Sequence, residues 1–429
     1  MLDFRVYHLL SWLAWPLFWL LLLRRRWIGK ELAFRMRERR GVATKSRPDG
    51  PLIWFHGASI GETLSILPLA EHLLAEFPDA EVVITSGTLA SADLIASRLP
   101  ARARHQFLPL DHPLWVDRFL RSWRPDVGIW AESEIWPNLV RQSRNLGIPL
   151  HLVNARLSPR SYARWRRRRR FAKRLFAMFD SLIAQTPTDA QRFADLGGRN
   201  PVVGGNIKFA SQSLPASQTQ VAAWRGAFAG RAVWLAANTH AGEEAQVLAA
   251  HDRLQARHPT LLTLIAPRHL ERLADLQAGV LKDRAHALFS EGPDLVSAHS
   301  LLLVDRLGVL GPFYQTCGIA LVAGSLIPGI GGHSPIEPAR NGAAVLAGQH
   351  MDNQADLVAL FTEADALVQI SDAESLVDAV DSLLSDTTRR SELQSKARAL
   401  VEAQADVLRL YSGALVPKVR AVLAQSARP

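Results

Sequence analysis

A chain of 429 residues exceeds what one hydrophobic core usually supports, so two domains of about 200 residues each are expected. Hydrophobic residues at 48% and charged residues at 21% exclude global disorder, and the single Cys317 excludes an internal disulfide or a cage of cysteines around a metal. The net charge of +10 is unevenly spread: Met1 to Ser46 holds 10 Lys and Arg against 3 acids, Arg156 to Arg174 holds 10 against none, and the remainder is acidic. Two basic patches on an acidic body suit an anionic membrane surface or a phosphorylated lipid better than a nucleic-acid track. A solvated, arginine-rich helix face is the plainer reading of the same runs.

The first element is apolar. Val6 to Leu23 reads VYHLLSWLAWPLFWLLLL and stops at Arg24, Arg25 and Arg26. As one helix it spans roughly 27 Å at about 1.5 Å per residue, close to the thickness of a hydrocarbon core. Pro16 would kink it, and Trp12, Trp15 and Trp19 favour a membrane interface. The positive charge follows the apolar run, so a cleavable signal peptide fits poorly and the arginines and downstream chain are expected on the cytoplasmic side. A membrane-anchor helix is the expectation, and a buried soluble helix the alternative.

Beyond residue 47, short apolar runs alternate with helical stretches, the pattern of doubly wound parallel sheets. Runs are expected at 52–55, 82–86, 106–108, 127–130, 150–153, 182–184 and 202–203, then at 232–236, 261–266, 301–304, 319–322, 343–346 and 366–370. The polar stretch ASQSLPASQTQ reads as a linker. The expected division is therefore anchor and basic segment 1–46, a Rossmann-like domain 47–209, a linker 210–220 and a second Rossmann-like domain 221–429 that includes the C-terminal helices.

Open α/β sheets bind ligands at the carboxyl ends of their strands, so the residues after each run are the candidate site. After the first run comes HGASIGE, whose Gly57 and Gly61 permit a tight turn and whose Glu62 falls on the first turn of a helix. A carboxylate there suits general base work, and it equally suits the helix dipole. Ser86-Gly87-Thr88 binds an anion or caps a helix, and Glu132 and Glu134 suit proton transfer, hydroxyl recognition or capping. Arg156 precedes the arginine run, whose planar forks suit phosphate. In the second half, Thr239, His240 and Glu243 follow one strand, Arg268 and His269 the next, and Gly324 and Ser325 a third. The glycine-rich loop from Gly329 to Pro338 adds Gly332, His333, Ser334 and Glu337, a phosphate cradle with a carboxylate for hydroxyls. No GxxxxGK[ST], HExxH or Asp-x-Asp occurs, which favours metal-independent chemistry.

These motifs, HGASIGE, AESEIWPN, NARLS, GNIKF, ANTHAGEE, PRH and GGHSPIEP, occur in the order and near the spacing that resemble the 3-deoxy-D-manno-oct-2-ulosonic acid (Kdo) transferases of lipopolysaccharide biosynthesis. The resemblance runs from the apolar N-terminus to about residue 410. It implies a GT-B architecture, two Rossmann-like domains facing across a cleft, with inverting transfer of Kdo from CMP-Kdo to the lipid A precursor, lipid IVA, at the cytoplasmic face of the inner membrane. It implies no cofactor or metal beyond the donor substrate, and no nucleic-acid partner. Glu62 matches the family's catalytic base. Ser59, Gly61, Ser86, Thr88, Glu132, Glu134, Arg156 and Lys208 fall on the implied acceptor side, and Thr239, His240, Glu243, Arg268, His269, Gly324, Ser325, Gly332, His333, Ser334 and Glu337 on the implied donor side. The chain departs from the family at Ser334, where Asn is usual, and at Thr85-Ser86-Gly87-Thr88, where a TPTGS-like turn is expected. A GT-B transferase using a UDP-sugar, or a membrane-tethered lipid- or RNA-binding protein, are the alternatives.

Overall fold

A computed structural model describes residues 4–426 apart from 90–91, 93–94, 96–98, 134, 211–213, 215 and 405. The chain divides into two compact units, Met1–Ser211 with Ala405–Pro429, and Gln212–Gln404. Each is built on one seven-stranded parallel sheet.

In unit 1 the strands are β1 (Leu52–His56), β2 (Glu81–Ser86), β3 (Ala103–Phe107), β4 (Val127–Ala131), β5 (Leu150–Ala155), β6 (Ser181–Ala184) and β7 (Val202–Val203), in the order β3-β2-β1-β4-β5-β6-β7. β1 lies inside the sheet between β2 and β4 and every residue of it is buried, which is why LIWFH reads as a nearly continuous apolar run without alternation. Trp54 packs edge-on against Trp130 of β4 with ring centroids 5.1 Å apart. In unit 2 the strands are β8 (Val233–Thr239), β9 (Leu262–Pro267), β10 (Ala287–Leu288), β11 (Leu301–Leu303), β12 (Ile319–Val322), β13 (Ala344–Gly348) and β14 (Val368–Ile370), in the order β10-β11-β9-β8-β12-β13-β14. Successive residues of β8 enter different cores: Trp234 and Ala236 join one cluster, Val233, Leu235 and Ala237 the other. This is the period of two that a sheet covered on both faces requires.

The apolar N-terminus is not one helix. It forms α1 (Phe4–Leu13) and α2 (Trp15–Trp27), bent by 58° at the break between them. Pro16 lacks the N–H that would continue the ladder and its ring clashes with the preceding turn, so the helix restarts at Trp15 with Pro16 in its first turn. Among the described residues no single helix is long and apolar enough to cross a membrane, and the bent pair passes only as a pair. This corrects the expected single anchor helix. The pair also lies along unit 1: Phe4 meets Phe171 at 4.7 Å, Tyr7 donates to Asp111 Oδ2 at 2.9 Å, Trp19 meets Trp115, and Leu22 is fully buried.

The C-terminus gives a second correction. The last helix (Val407–Ser426) belongs to unit 1 and not to the second domain. Its buried Tyr411 donates to Gly205 O at 2.9 Å and accepts from Asn154 N at 3.1 Å. The expected linker begins to fold before its end, since a helix starts at Gln218 and Leu214 packs on a unit 2 core.

Candidate active site

In unit 1 the candidate residues collect at the carboxyl ends of β1, β2, β4 and β5. Leaving β1, the chain turns through Gly57 and enters α3 (Ile60–Glu76), with Ser59 as N-cap in extended conformation. A side chain on Gly57 would put its Cβ 2.9 Å from Thr63 N, so glycine is required by the closeness of the turn. Ser59 Oγ accepts from Glu62 N at 3.2 Å and donates to Glu62 Oε1 at 2.9 Å, while Ala58 N donates to Glu62 Oε2 at 2.7 Å. The half-buried carboxylate is thus held in one orientation beyond the carboxyl end of β1. Gly61 is exposed with open space where a side chain would stand.

After β2, Ser86 is buried with its hydroxyl 2.9 Å from His105 Nε2, so it ties β2 to β3, whereas Thr88 is exposed. After β4, Glu132 sits at φ 56, a left-handed conformation costly for a side chain of its kind, and its carboxylate lies 4.0 Å from Lys208 Nζ. Asn154 at the end of β5 is also left-handed, and its Oδ1 accepts from Ile207 N at 3.0 Å, which fixes the GNIKF segment that bears Lys208. Arg156 follows, half-buried. Glu134 lies outside the described residues.

In unit 2, β8, β9 and β12 bring His240, Arg268 and the Gly324 turn together. His240 Nε2 lies 2.9 Å from His333 Nε2, with the rings stacked at 5.2 Å, and the His269 ring is 5.4 Å from His240. Gly324, Gly331 and Gly332 all have positive φ, and Gly332 N donates to Gly324 O at 2.8 Å, closing the glycine loop over the strand end. Burial pushes His333 down to about 3, with Arg268, His240 and His269 adding to the effect. Burial also lowers His240. Neutral imidazoles beside an arginine make a positive pocket suited to an anion.

A family model described as 3-Deoxy-D-manno-octulosonic-acid transferase (kdotransferase) matches residues 34–211. The 3-deoxy-D-manno-octulosonic acid transferase of Rickettsia bellii is 31% identical over 410 residues, covering 95% of this chain and 97% of the relative. The chain belongs to the Kdo transferase family. A Kdo transferase from Bordetella pertussis is 33% identical over 418 residues, covering 93% of this chain and 96% of its own. Among solved structures, a UDP-GlcNAc 2-epimerase from Neisseria meningitidis is similar with a TM-score of 0.57 at 15% identity, covering 85% of this chain and 100% of that one. That likeness is one of fold, of the GT-B type the motifs imply.

As a Kdo transferase family member the protein is a glycosyltransferase, and the motifs expected on the donor side divide into residues that are at least partly exposed and residues that hold the loops. Glu243 was expected to bind donor. It is fully buried, and its two oxygens accept from His240 N at 2.9 Å, Gly324 N at 2.8 Å, Ser325 N at 2.9 Å and Leu326 N at 2.9 Å. With four backbone donors on one carboxylate, Glu243 brackets the β8 and β12 turns together. Ser325 is likewise buried, its Oγ donating to Val322 O at 2.5 Å and accepting from Gly348 N at 2.8 Å. Buried Thr239 donates to Glu244 Oε1 at 3.0 Å. These three are supports for the turns. Arg268, half-buried, is anchored by its own N–H to Thr239 O at 3.0 Å, His269 is exposed, Ser334 Oγ accepts from Ile336 N at 3.3 Å, and Glu337 opens a short helix, α4 (Ile336–Arg340), half-buried.

Two features escaped the sequence reading. The segment after β13, Gln349 to Asn353, packs on the glycine loop, with Asn353 N donating to Gly331 O at 3.0 Å, and Gln349, Met351 and Asp352 line a cavity of 560 Å³. Its signal was available, because it follows a strand end like every other loop considered. The other is a buried ion cluster in the basic segment, Glu31 with Arg25 and Arg39, and Glu38 with Arg35. Among the described residues no group of three or more His, Cys, Asp or Glu is placed to hold a metal ion.

Proposed function

We propose that the protein transfers Kdo from CMP-Kdo to a phosphorylated lipid A precursor, lipid IVA, with inversion and without a metal, unit 1 taking the acceptor and unit 2 the donor. The observation that carries this reading is the oriented Glu62 carboxylate at the end of β1, fixed by Ala58 N and Ser59 Oγ. A sugar hydroxyl is a poor nucleophile near neutral pH, so a carboxylate must take its proton as attack proceeds. The acceptor oxygen bonds to the anomeric carbon while the bond from that carbon to the CMP phosphate oxygen breaks, and the electron pair leaves with CMP. Arg268 and the glycine-loop amides stabilise that charge as fixed donors. Displacement in one step inverts the centre and needs no covalent intermediate on the protein.

The same reading places the protein at the cytoplasmic side of the inner membrane, with α1 and α2 lying in the interfacial plane. It is supported by the pair's contacts along unit 1, which a spanning helix could not keep, and by the apolar side chains it leaves exposed, Leu13 at 69%, Leu17 at 66%, Leu20 at 61% and Trp27 at 88%. The arginine run adjoins it, since Phe171 of the helix Arg169–Phe176 packs tilted against Phe4. Calorimetric titration with CMP and with UDP tests the donor. Binding of CMP with UDP at least tenfold weaker is expected, and the reverse order would favour a UDP-sugar transferase.

A further inference from the structure

Unit 1 holds an ion pair that the transfer chemistry does not use. The Glu31 and Arg39 side chains are 0% and 4% exposed and lie between the apolar helix pair and β1 in sequence. Arg39 Nε donates to Glu31 Oε1 at 3.1 Å, and Arg25, in the last turn of α2, donates from Nε to the same oxygen at 2.8 Å. Beyond Glu31, the Arg39 fork points at the end of β2. Nη2 donates to Gly87 O at 2.7 Å, and Nη1 reaches Leu108 O at 3.3 Å and Ser86 O at 3.4 Å.

From Gly87 the path continues to the reacting carboxylate. Gly87 N donates to Ala58 O at 3.0 Å, and Ala58 N donates to Glu62 Oε2 at 2.7 Å. The Gly87 turn sits so close to Ala58 that a Cβ on Gly87 would lie 2.7 Å from Ala58 O. An error in the position of Gly87 therefore passes directly to the amide that orients Glu62. Stability alone accounts poorly for the pair, because taking two charges out of water costs about as much as their attraction returns, and a well-packed apolar pair is often as stable. What an apolar pair cannot do is hold three backbone carbonyls with one planar fork.

We propose that Arg39, held by Glu31, is a positioning residue for Glu62, so that the segment leaving the membrane-facing helix pair sets the geometry of the transfer site. This rests on the reading of Glu62 as the base. The fork fixes the Ser86-Gly87 turn, the turn fixes Ala58, and Ala58 N–H aims the carboxylate. Arg25 ties the end of α2 to the same glutamate, which links the docking element to the site through the Glu31–Arg39 pair and the Gly87 turn.

The test uses the full chain, CMP-Kdo and a short-chain soluble acceptor, so that membrane docking does not limit the rate. Arg39→Lys keeps the charge opposite Glu31 but cannot fork to three carbonyls, and Glu31→Leu combined with Arg39→Met removes both charges together. Each is expected to lower kcat about tenfold, as a small misplacement of a reacting group does, with KM within about threefold and CMP affinity unchanged. Arg39→Lys combined with Glu62→Gln is expected to be no slower than Glu62→Gln alone, since a residue acting only through Glu62 has nothing left to act on. Unchanged kcat in both Arg39 variants, or losses that multiply in the combined variant, overturns the proposal. Should the Arg39 variants fail to fold, Gly87→Ala displaces Ala58 from the other side, and full kcat in that variant overturns it equally. Normal turnover in Glu62→Gln would remove the base and this proposal with it, whereas a slow Glu62→Gln beside normal turnover in both Arg39 variants would remove the proposal alone.

Discussion

His240 and His333 face each other with their Nε2 atoms 2.9 Å apart, one nitrogen donating to the other. Such a contact requires at least one neutral ring, and burial keeps both rings low in proton affinity. Arg268 then supplies a full positive charge to this corner. Arg268→Ala is therefore expected to weaken CMP binding by about 1.5 kcal/mol, roughly tenfold, the size of a charge-assisted contact to phosphate. Calorimetry of the purified variant checks this, and unchanged affinity would place Arg268 outside the donor site.

Glu62→Gln keeps shape and removes the proton acceptor. Turnover is expected to fall by roughly 100-fold or more, the usual contribution of a general base, while CMP affinity stays within about twofold because the change lies in the other unit. Steady-state kinetics and titration of one preparation give both numbers, and parental turnover would remove Glu62 from the mechanism.

Acid sensitivity follows from four histidines whose proton affinity burial lowers. Burial pushes His56 down to about 4, His105 to about 3, His151 to about 4 and His333 to about 3, whereas an unfolded histidine titrates near 6.5. The unfolded chain then binds more protons between those values, so this stability is complete above about pH 6.5 and is lost as pH falls toward about 4. Tm measured by scanning calorimetry is expected to be level from pH 7 to 8 and to drop steadily from pH 6.5 to 4.5. A flat profile across that lower window would contradict it.

The docking face separates into apolar and charged parts. Leu17→Glu with Leu20→Glu, both on the exposed side of α2, is expected to release the protein from anionic vesicles with little change in Tm. Neutralising Arg166 to Arg170, all exposed, is expected to raise KM for bilayer-presented acceptor, more at low than at high salt, because each surface cation contributes on the order of 1 kcal/mol near an anionic leaflet. Equal loss on a soluble acceptor, without salt dependence, would make the run structural.

Both sheets could be read from the sequence because parallel strands buried on two faces are unbroken apolar runs. The strand that escaped, β10, is two residues long and has no pattern to show. The bent helix pair was half legible: Pro16 announced the kink, but an apolar stretch is silent about whether lipid or protein covers it. Val407–Ser426 is amphipathic, and periodicity names a buried face without naming the core it joins. Glu31, Glu38 and Arg39 were hidden because charges beside an arginine cluster read as solvated, and only the fold shows them paired and buried. Glu243 shows the opposite limit, a strand-end carboxylate whose sequence position suits a ligand contact and whose four amide partners make it a bracket.

The most direct measurement is the mass of the product formed when purified protein, CMP-Kdo and tetraacylated lipid A precursor are incubated together. Precursor heavier by one or more Kdo residues is expected, with CMP released in equal number, and neither in the Glu62→Gln variant beyond a trace. Unmodified precursor from folded, CMP-binding protein, or transfer from a UDP-sugar in its place, would contradict it.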